Sequence, residues 1–405
     1  MIYQKKSFQK LNDVNKLFFI NQQFINKFYY KKKLLISSKL LINNIFNLFF
    51  KKKQKIFKNI KDVILLFLFL LLLFIYSLSK LKKFEKSSLL SHTNLIIDLD
   101  YKNKIKIDQK NLLQLCTAME KCLNVINLSL DLGLKKIGSQ GVKSLSYSLE
   151  KLINLQTLKL NISYNQVESE GISYLGSVLQ TFKNLQNLML KLTNNEIGDK
   201  GLSDLSSSLS KCTNLLSLEL YLDLNLELSD EGVSDLGLCL AKCINLQVLV
   251  LSLNQCSIRA KACSVLASGF AQCTKLQNLE LFLGAICYQD VSYLTSSLAR
   301  CHKLSKLTLK LQGNALRDQD SLSIGSCLAN LINLKFLKLI LFDNKIGNQG
   351  ALGLCFALSQ TSNVYTLEIS LSDQLLLSSP QILDLIKLAT FLFLFIHNYC
   401  QINLI

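Results

Sequence analysis

Asn184–Lys211 reads NLQNLMLKLTNNEIGDKGLSDLSSSLSK. Leu188, Leu190 and Leu192 alternate with Met189 and Lys191, the period of a half-buried strand. Asn195, Ile197, Gly198 and Gly201 follow as a turn. Leu205 and Leu209 then fall four apart, on one face of a helix. The stretch predicts strand, turn and helix, after which the pattern begins again.

The unit recurs along most of the chain. Asn94, Asn124, Asn154, Asn184, Asn214, Asn245, Lys275, Lys303, Asn333 and Asn363 hold one position in ten frames, 30 residues apart except for one step of 31 and one of 28. Strand apolar residues recur with them, as in Leu158, Leu160 and Ile162, or Leu337, Leu339 and Leu341. So do helix pairs such as Leu145 and Leu149, or Leu354 and Leu358. One polar position follows each strand: Asn165, Asn195, Asn225, Cys256, Asn314 and Asn344.

This pattern, LxxLxLxLxxNxIGxxG, resembles the leucine-rich repeat family, from about Asn94 to about Ser379. The frame length and helical second half are similar to the ribonuclease-inhibitor-like class, and most similar to the long repeats of many protist proteins. The resemblance implies an α/β solenoid, a horseshoe with a parallel concave sheet and convex helices. It also implies that the Asn or Cys after each strand bonds to backbone as the chain turns. One unit cannot bury its own leucines, so stacked neighbours would share a continuous core. Gly141, Gly171, Gly201, Gly232 and Gly350 are expected to supply permissive backbone angles at the helix entries. Ser146, Gly176, Ser206, Gly237, Ala267 and Gly325 are expected to let helix and sheet approach closely. The short frame at Lys275, with Gly284, Ala285 and Ile286, predicts a local irregularity. Terminal units are expected to be atypical.

The net charge of +18 is unevenly placed. Residues 1–88 carry 19 lysines against Asp13, Asp62 and Glu85, whereas the remaining 317 carry 27 basic against 25 acidic residues. The repeats are thus nearly neutral and show no clustered basic stripe of the kind that binds nucleic acid. Residues 1–62 mix lysine runs with apolar patches and read as a poorly ordered extension, or otherwise as a membrane-surface segment. Val63–Ser79, VILLFLFLLLLFIYSLS, is uncharged and at the lower end of spanning length, so it predicts a helical hydrophobic segment crossing a membrane. Residues 80–93 form a linker, 94–379 the repeat domain and 380–405 a hydrophobic tail. The tail's Leu388–Ile396 is too short to span as a helix and is expected to cover the open end of the core.

Lysines flanking 63–79 slightly favour a cytosolic N terminus, with the repeats outside. The 13 cysteines point the other way. Cys122, Cys212, Cys243, Cys273 and Cys301 share a position with Leu152, Phe182 and Leu331, a buried apolar slot where thiols stay free. A single-pass membrane protein with cytosolic repeats is therefore expected, the alternative being a cytoplasmic protein. The sequons at Asn127 and Asn161 fall in predicted strands, poor places for a glycan.

The chain carries no phosphate loop, nucleophile elbow, kinase signature or paired metal-ligand spacing. Acid pairs such as Glu168/Glu170 and Asp230/Glu231 fall at helix starts, where they suit the dipole. No catalytic residue, metal, cofactor or small-molecule substrate is expected. The expected function is a non-enzymatic scaffold that binds a protein partner on its concave face. The alternative is a regulator of an enzyme, as resemblance to ribonuclease inhibitors and GTPase-activating proteins implies.

Residues between the strand leucines point away from the core. In early frames they are mostly polar: Asn127, Asp131, Thr157, Lys159, Asn161, Asn187 and Lys191. In later frames Phe336, Ile340 and Phe342 are expected to form one patch flanked by Lys306, Lys310 and Lys338, with Phe282 two strands away. Aromatics beside cations are typical of protein-recognition hot spots.

Overall fold

The computed structural model describes residues 92–98, 108–284, 291–361, 363–371 and 401–404. The chain divides into two compact units, Met1–Leu73 and Phe74–Ile405, and all described residues belong to the second. The expectations for residues 1–62, Val63–Ser79 and Leu388–Ile396 fall outside the described residues, as does the irregularity placed at Ala285 and Ile286.

One parallel sheet carries eleven strands in sequential order: β1 Asn94–Asp98, β2 Asn127–Asp131, β3 Thr157–Asn161, β4 Asn187–Lys191, β5 Ser217–Tyr221, β6 Val248–Ser252, β7 Asn278–Phe282, β8 Lys306–Lys310, β9 Phe336–Ile340, β10 Thr366–Ser370 and β11 Gln401–Leu404. Among the described residues, the helices that alternate with them are α1 Gln109–Met119, α2 Gly138–Leu149, α3 Glu168–Leu179, α4 Asp199–Leu209, α5 Asp230–Leu240, α6 Ala260–Gln272, α7 Val291–Leu298, α8 Asp318–Ala329 and α9 Asn348–Ser359. No helix among the described residues is long and apolar enough to cross a membrane.

The leucine register is as the alternation predicts. Leu188 and Leu190 pair with Leu158 and Leu160 on one side, and with Leu218 and Leu220 on the other. All six are buried against the helices in one continuous core, and the cysteine column from Cys122 to Cys301 is buried with them. Parallel pairing in register stacks like side chains across the sheet, so one unit's leucines cover the next.

The turns after β2, β3, β4, β5, β6, β8 and β9 are left-handed at non-glycine residues, with Tyr164 and Gln166 on either side of Asn165 at φ 60° and 55°. Such a backbone leaves inward-facing amides that need partners. The asparagine column supplies them. Asn195 Oδ1 accepts from the Asn165 amide of the preceding unit at 2.9 Å, while its Nδ2 donates to Ile162 O at 2.9 Å and Leu192 O at 3.0 Å. Asn225 and Asn344 repeat the arrangement. Cys256 keeps part of it, its Sγ donating to Leu222 O at 3.5 Å.

Two sequence expectations are corrected. Glycines at the helix entries are not there for left-handed angles: among these, none has φ in that region. They are there because the neighbouring unit leaves no room. A Cβ on Gly201 would lie 2.8 Å from Ser169 Cα, and one on Gly350 would lie 2.6 Å from Asp318 Cα. Likewise the small helix residues admit the next helix, not the sheet. A Cβ on Gly237 would meet Val265 C at 2.7 Å, and one on Gly325 would meet Ala357 Cβ at 2.8 Å.

The acids at helix starts do more than complement a dipole. Asp199 Oδ1 accepts from Ser229 N at 2.8 Å and Gly232 N at 3.1 Å, so one helix start holds the next. Asp318 does the same for Gly347 N at 2.5 Å. At the C-terminal edge β11 pairs with β10, Gln401 opposite Thr366. Part of the tail thus extends the sheet.

Candidate functional site

The face of the sheet away from the helices carries three side chains from each five-residue strand, at its first, third and fifth positions. Phe282 stands opposite Lys310 and Lys310 opposite Ile340. Lys306 stands opposite Phe336, and Lys338 opposite both Thr308 and Glu368. All seven residues singled out from the sequence lie on this face or at its rim. Phe282, Lys306, Lys310, Phe336, Lys338 and Ile340 are half-buried, and Phe342, just beyond β9, is 41% exposed.

Their grouping differs from a single patch ringed by three cations. Lys306 Nζ lies 2.6 Å from Glu280 Oε1 and 5.4 Å from the centroid of the Phe336 ring. Lys338 Nζ lies 2.5 Å from Glu368 Oε2 and stands between Phe336 and Ile340 along β9. The apolar surface is therefore split. Phe336 sits under the Lys306–Glu280 pair at one end of the strands. Phe282 and Ile340 flank Lys310 at the other, with Phe342 just beyond Ile340. On the far side the patch stops at the polar residues Thr366 and Ser370 of β10.

A second group, at the middle of the sheet, was readable from the same alternation but was not singled out. The Tyr221 hydroxyl donates to Glu219 Oε2 at 3.3 Å, and Lys191 Nζ lies 5.6 Å from the centroid of the Tyr221 ring. Burial, with help from the Glu219 carboxylate, pushes the Tyr221 phenol up to about 12. Asp223 accepts from Ser252 Oγ at 2.5 Å, Asn254 N at 2.9 Å and Asn254 Nδ2 at 2.8 Å. Asp131 accepts from Asn161 Nδ2 and from Gly133 N, each at 3.0 Å. Carboxylates held this way are hydrogen-bond anchors.

Most of the described thiols are held protonated; Cys243 is the exception, lowered by a hydrogen bond from Cys239. Burial pushes Cys212, Cys301 and Cys355 up to about 11, and Cys256, Cys273 and Cys327 up to about 12. A protonated, buried thiol is a packing group rather than a nucleophile. Among the described residues no three His, Cys, Asp or Glu side chains converge as metal ligands would.

A family model described as Leucine Rich repeat matches residues 154–176, 184–206 and 333–355. Each match runs from before a strand into the following helix: β3 into α3, β4 into α4 and β9 into α9. The matches, with ten parallel strands that alternate with helices, support a leucine-rich repeat protein. Repeats of this kind commonly mediate protein–protein interaction. A search of curated proteins matches none of them.

Proposed function

We propose that this protein is a non-enzymatic scaffold that binds another protein on the open face of its sheet, the concave side of a solenoid of the ribonuclease-inhibitor-like class. The observation that carries the reading is Phe282 and Ile340 on either side of Lys310, with Phe342 just beyond β9 and the polar residues of β10 along one side. Large apolar side chains gathered on a solvent-facing sheet have no role in holding the core, which is complete on the other face. Contiguous patches of this kind mark interaction sites. The frame length and the helices of 11–13 residues that occupy most second halves favour the ribonuclease-inhibitor-like class.

The test is a double variant, Phe336→Ala with Phe342→Ala, used as bait in affinity capture followed by mass spectrometry. Neither ring is in the core, so the thermal midpoint is expected to stay nearly unchanged while partner capture falls to background. Undiminished capture, or a collapse of stability, would remove these rings from the binding surface.

Membrane attachment through Val63–Ser79 is part of the same reading, with the repeats on the cytosolic side. It rests on the uncharged run between Lys61–Asp62 and Lys80. Tagged full-length protein is expected to stay in the pellet after alkaline carbonate extraction of cell membranes. Release of the intact chain would leave a cytoplasmic protein.

A further inference from the structure

From the geometry around Lys310 we infer that the partner presents an amphipathic helix with a carboxylate flanked one turn away on each side by a large apolar residue. The inference rests on the open-face reading and specifies what docks there.

Charge accounting comes first. On the open face Asp131, Glu219, Asp223, Glu280 and Glu368 each take a donor from the protein itself. Lys306 and Lys338 are taken up by Glu280 and Glu368. Lys310 is different: among the described residues it has no carboxylate partner, and its strand neighbours are Phe282 and Ile340. The ammonium of a half-buried lysine flanked by apolar side chains loses hydration when any partner covers it. An apolar or basic partner would bury that charge uncompensated, which is costly. A partner carboxylate turns the same burial into a charge-assisted hydrogen bond.

Spacing selects the form of the partner segment. Phe282, Lys310 and Ile340 lie on three successive strands, so the outer two are about 9.6 Å apart at about 4.8 Å per strand. A helix places residues i and i+7 about 10.5 Å apart at 1.5 Å rise each, with i+4 between them on the same face. An extended strand reaches about 6.8 Å at i+2 and about 13.6 Å at i+4, and matches neither step. A helix laid across β7, β8 and β9 therefore puts its apolar residues on Phe282 and Ile340 and its carboxylate on Lys310, with Phe342 at the rim.

The test uses full-length protein and three fluorescent helical peptides. The first carries Leu, Glu and Leu at i, i+4 and i+7 of one face; the others carry Leu, Lys, Leu and Ser, Glu, Ser there. Anisotropy is expected to show the Leu–Glu–Leu peptide binding at least about tenfold tighter than either counterpart, about 1.4 kcal/mol. Lys310→Glu is expected to abolish that preference and turn it toward the Leu–Lys–Leu peptide. Lys159→Glu, exposed on the same face several strands away, is expected to leave it unchanged. Equal binding of all three peptides, or a preference that survives Lys310→Glu, would overturn the inference. If that happens while the Phe336→Ala, Phe342→Ala variant still loses its captured partner, the open-face reading stands and only the helix is wrong. If both tests fail, the open face itself is not the binding surface.

Discussion

Replacing Asn195 with alanine is expected to cost on the order of 2 kcal/mol, measured by chemical denaturation. The change leaves the buried Asn165 N–H without its partner, while the Ile162 and Leu192 carbonyls each lose one donor and keep another, from Asn165 Nδ2 and Asn225 Nδ2. Each orphaned buried group costs about 1–3 kcal/mol. The turn that Asn195 closes also holds Tyr164 and Gln166 in left-handed backbone, which disfavours non-glycine residues by about 1–2 kcal/mol each. Without the amide to hold it, that turn has reason to open. Asn195→Cys should be milder, because Cys256 occupies the same column and still donates one bond. If alanine were tolerated as well as cysteine, the column would be a packing position and not a hydrogen-bond ladder.

Gly237→Ala is the second large effect, and two terms of opposite sign decide it. In a helix interior alanine is favoured over glycine by about 0.8–1 kcal/mol. Against this, the new methyl would meet three backbone atoms of α6: Val265 C at 2.7 Å, Leu266 N at 2.8 Å and Val265 O at 2.8 Å. Backbone cannot swing aside, so α5 and α6 must move apart, and overpacking of this kind costs about 1–3 kcal/mol. Net destabilisation is expected, and a larger residue such as leucine should prevent α5 and α6 from docking. Gly353→Ala is the contrast. Its nearest neighbours are atoms of the Leu322 side chain, which is 37% exposed and can rotate away. That variant should be neutral or slightly stabilised. A thermal midpoint for Gly237→Ala at or above the parent's would show that the helices are less tightly apposed than these distances imply.

The parts of this molecule that repeat were legible from residues alone. The period of Leu188, Leu190 and Leu192 set the strand register, and the registers of β3, β4 and β5 follow it leucine by leucine. The polar position after each strand was legible because a side chain with a fixed job recurs at a fixed spacing. The reason for each glycine was not. In a single unit Gly201 looks like a conformational device and Gly237 like room for the sheet, and only the neighbouring unit, at Ser169 and Val265, shows that both make room for the neighbouring helix. The open face was half legible. Alternation placed all seven candidate residues on one side, but it carries no information about which charges meet across strands. The Lys306–Glu280 and Lys338–Glu368 pairs divide the patch, and each joins residues on neighbouring strands. Such pairing needs the lateral register and the side-chain reach, and neither is written in a single unit.

The asparagine ladder also gives the chain a direction in time. Asn195 closes the turn at Asn165, Asn225 closes the turn at Asn195, and Asn344 closes the turn at Asn314. Each turn is finished by an amide that lies 30 residues downstream. On a ribosome adding about 5–20 residues per second, a newly emerged turn therefore waits about 2–6 s for its lock. Growth runs one way, like a zip whose slider is always the latest tooth. Removing a unit from the C-terminal end takes away the asparagine lock on the unit before it, whereas removing one from the N-terminal end leaves the asparagine locks that follow in place, at the cost of contacts such as those of Asp199 with the next helix start.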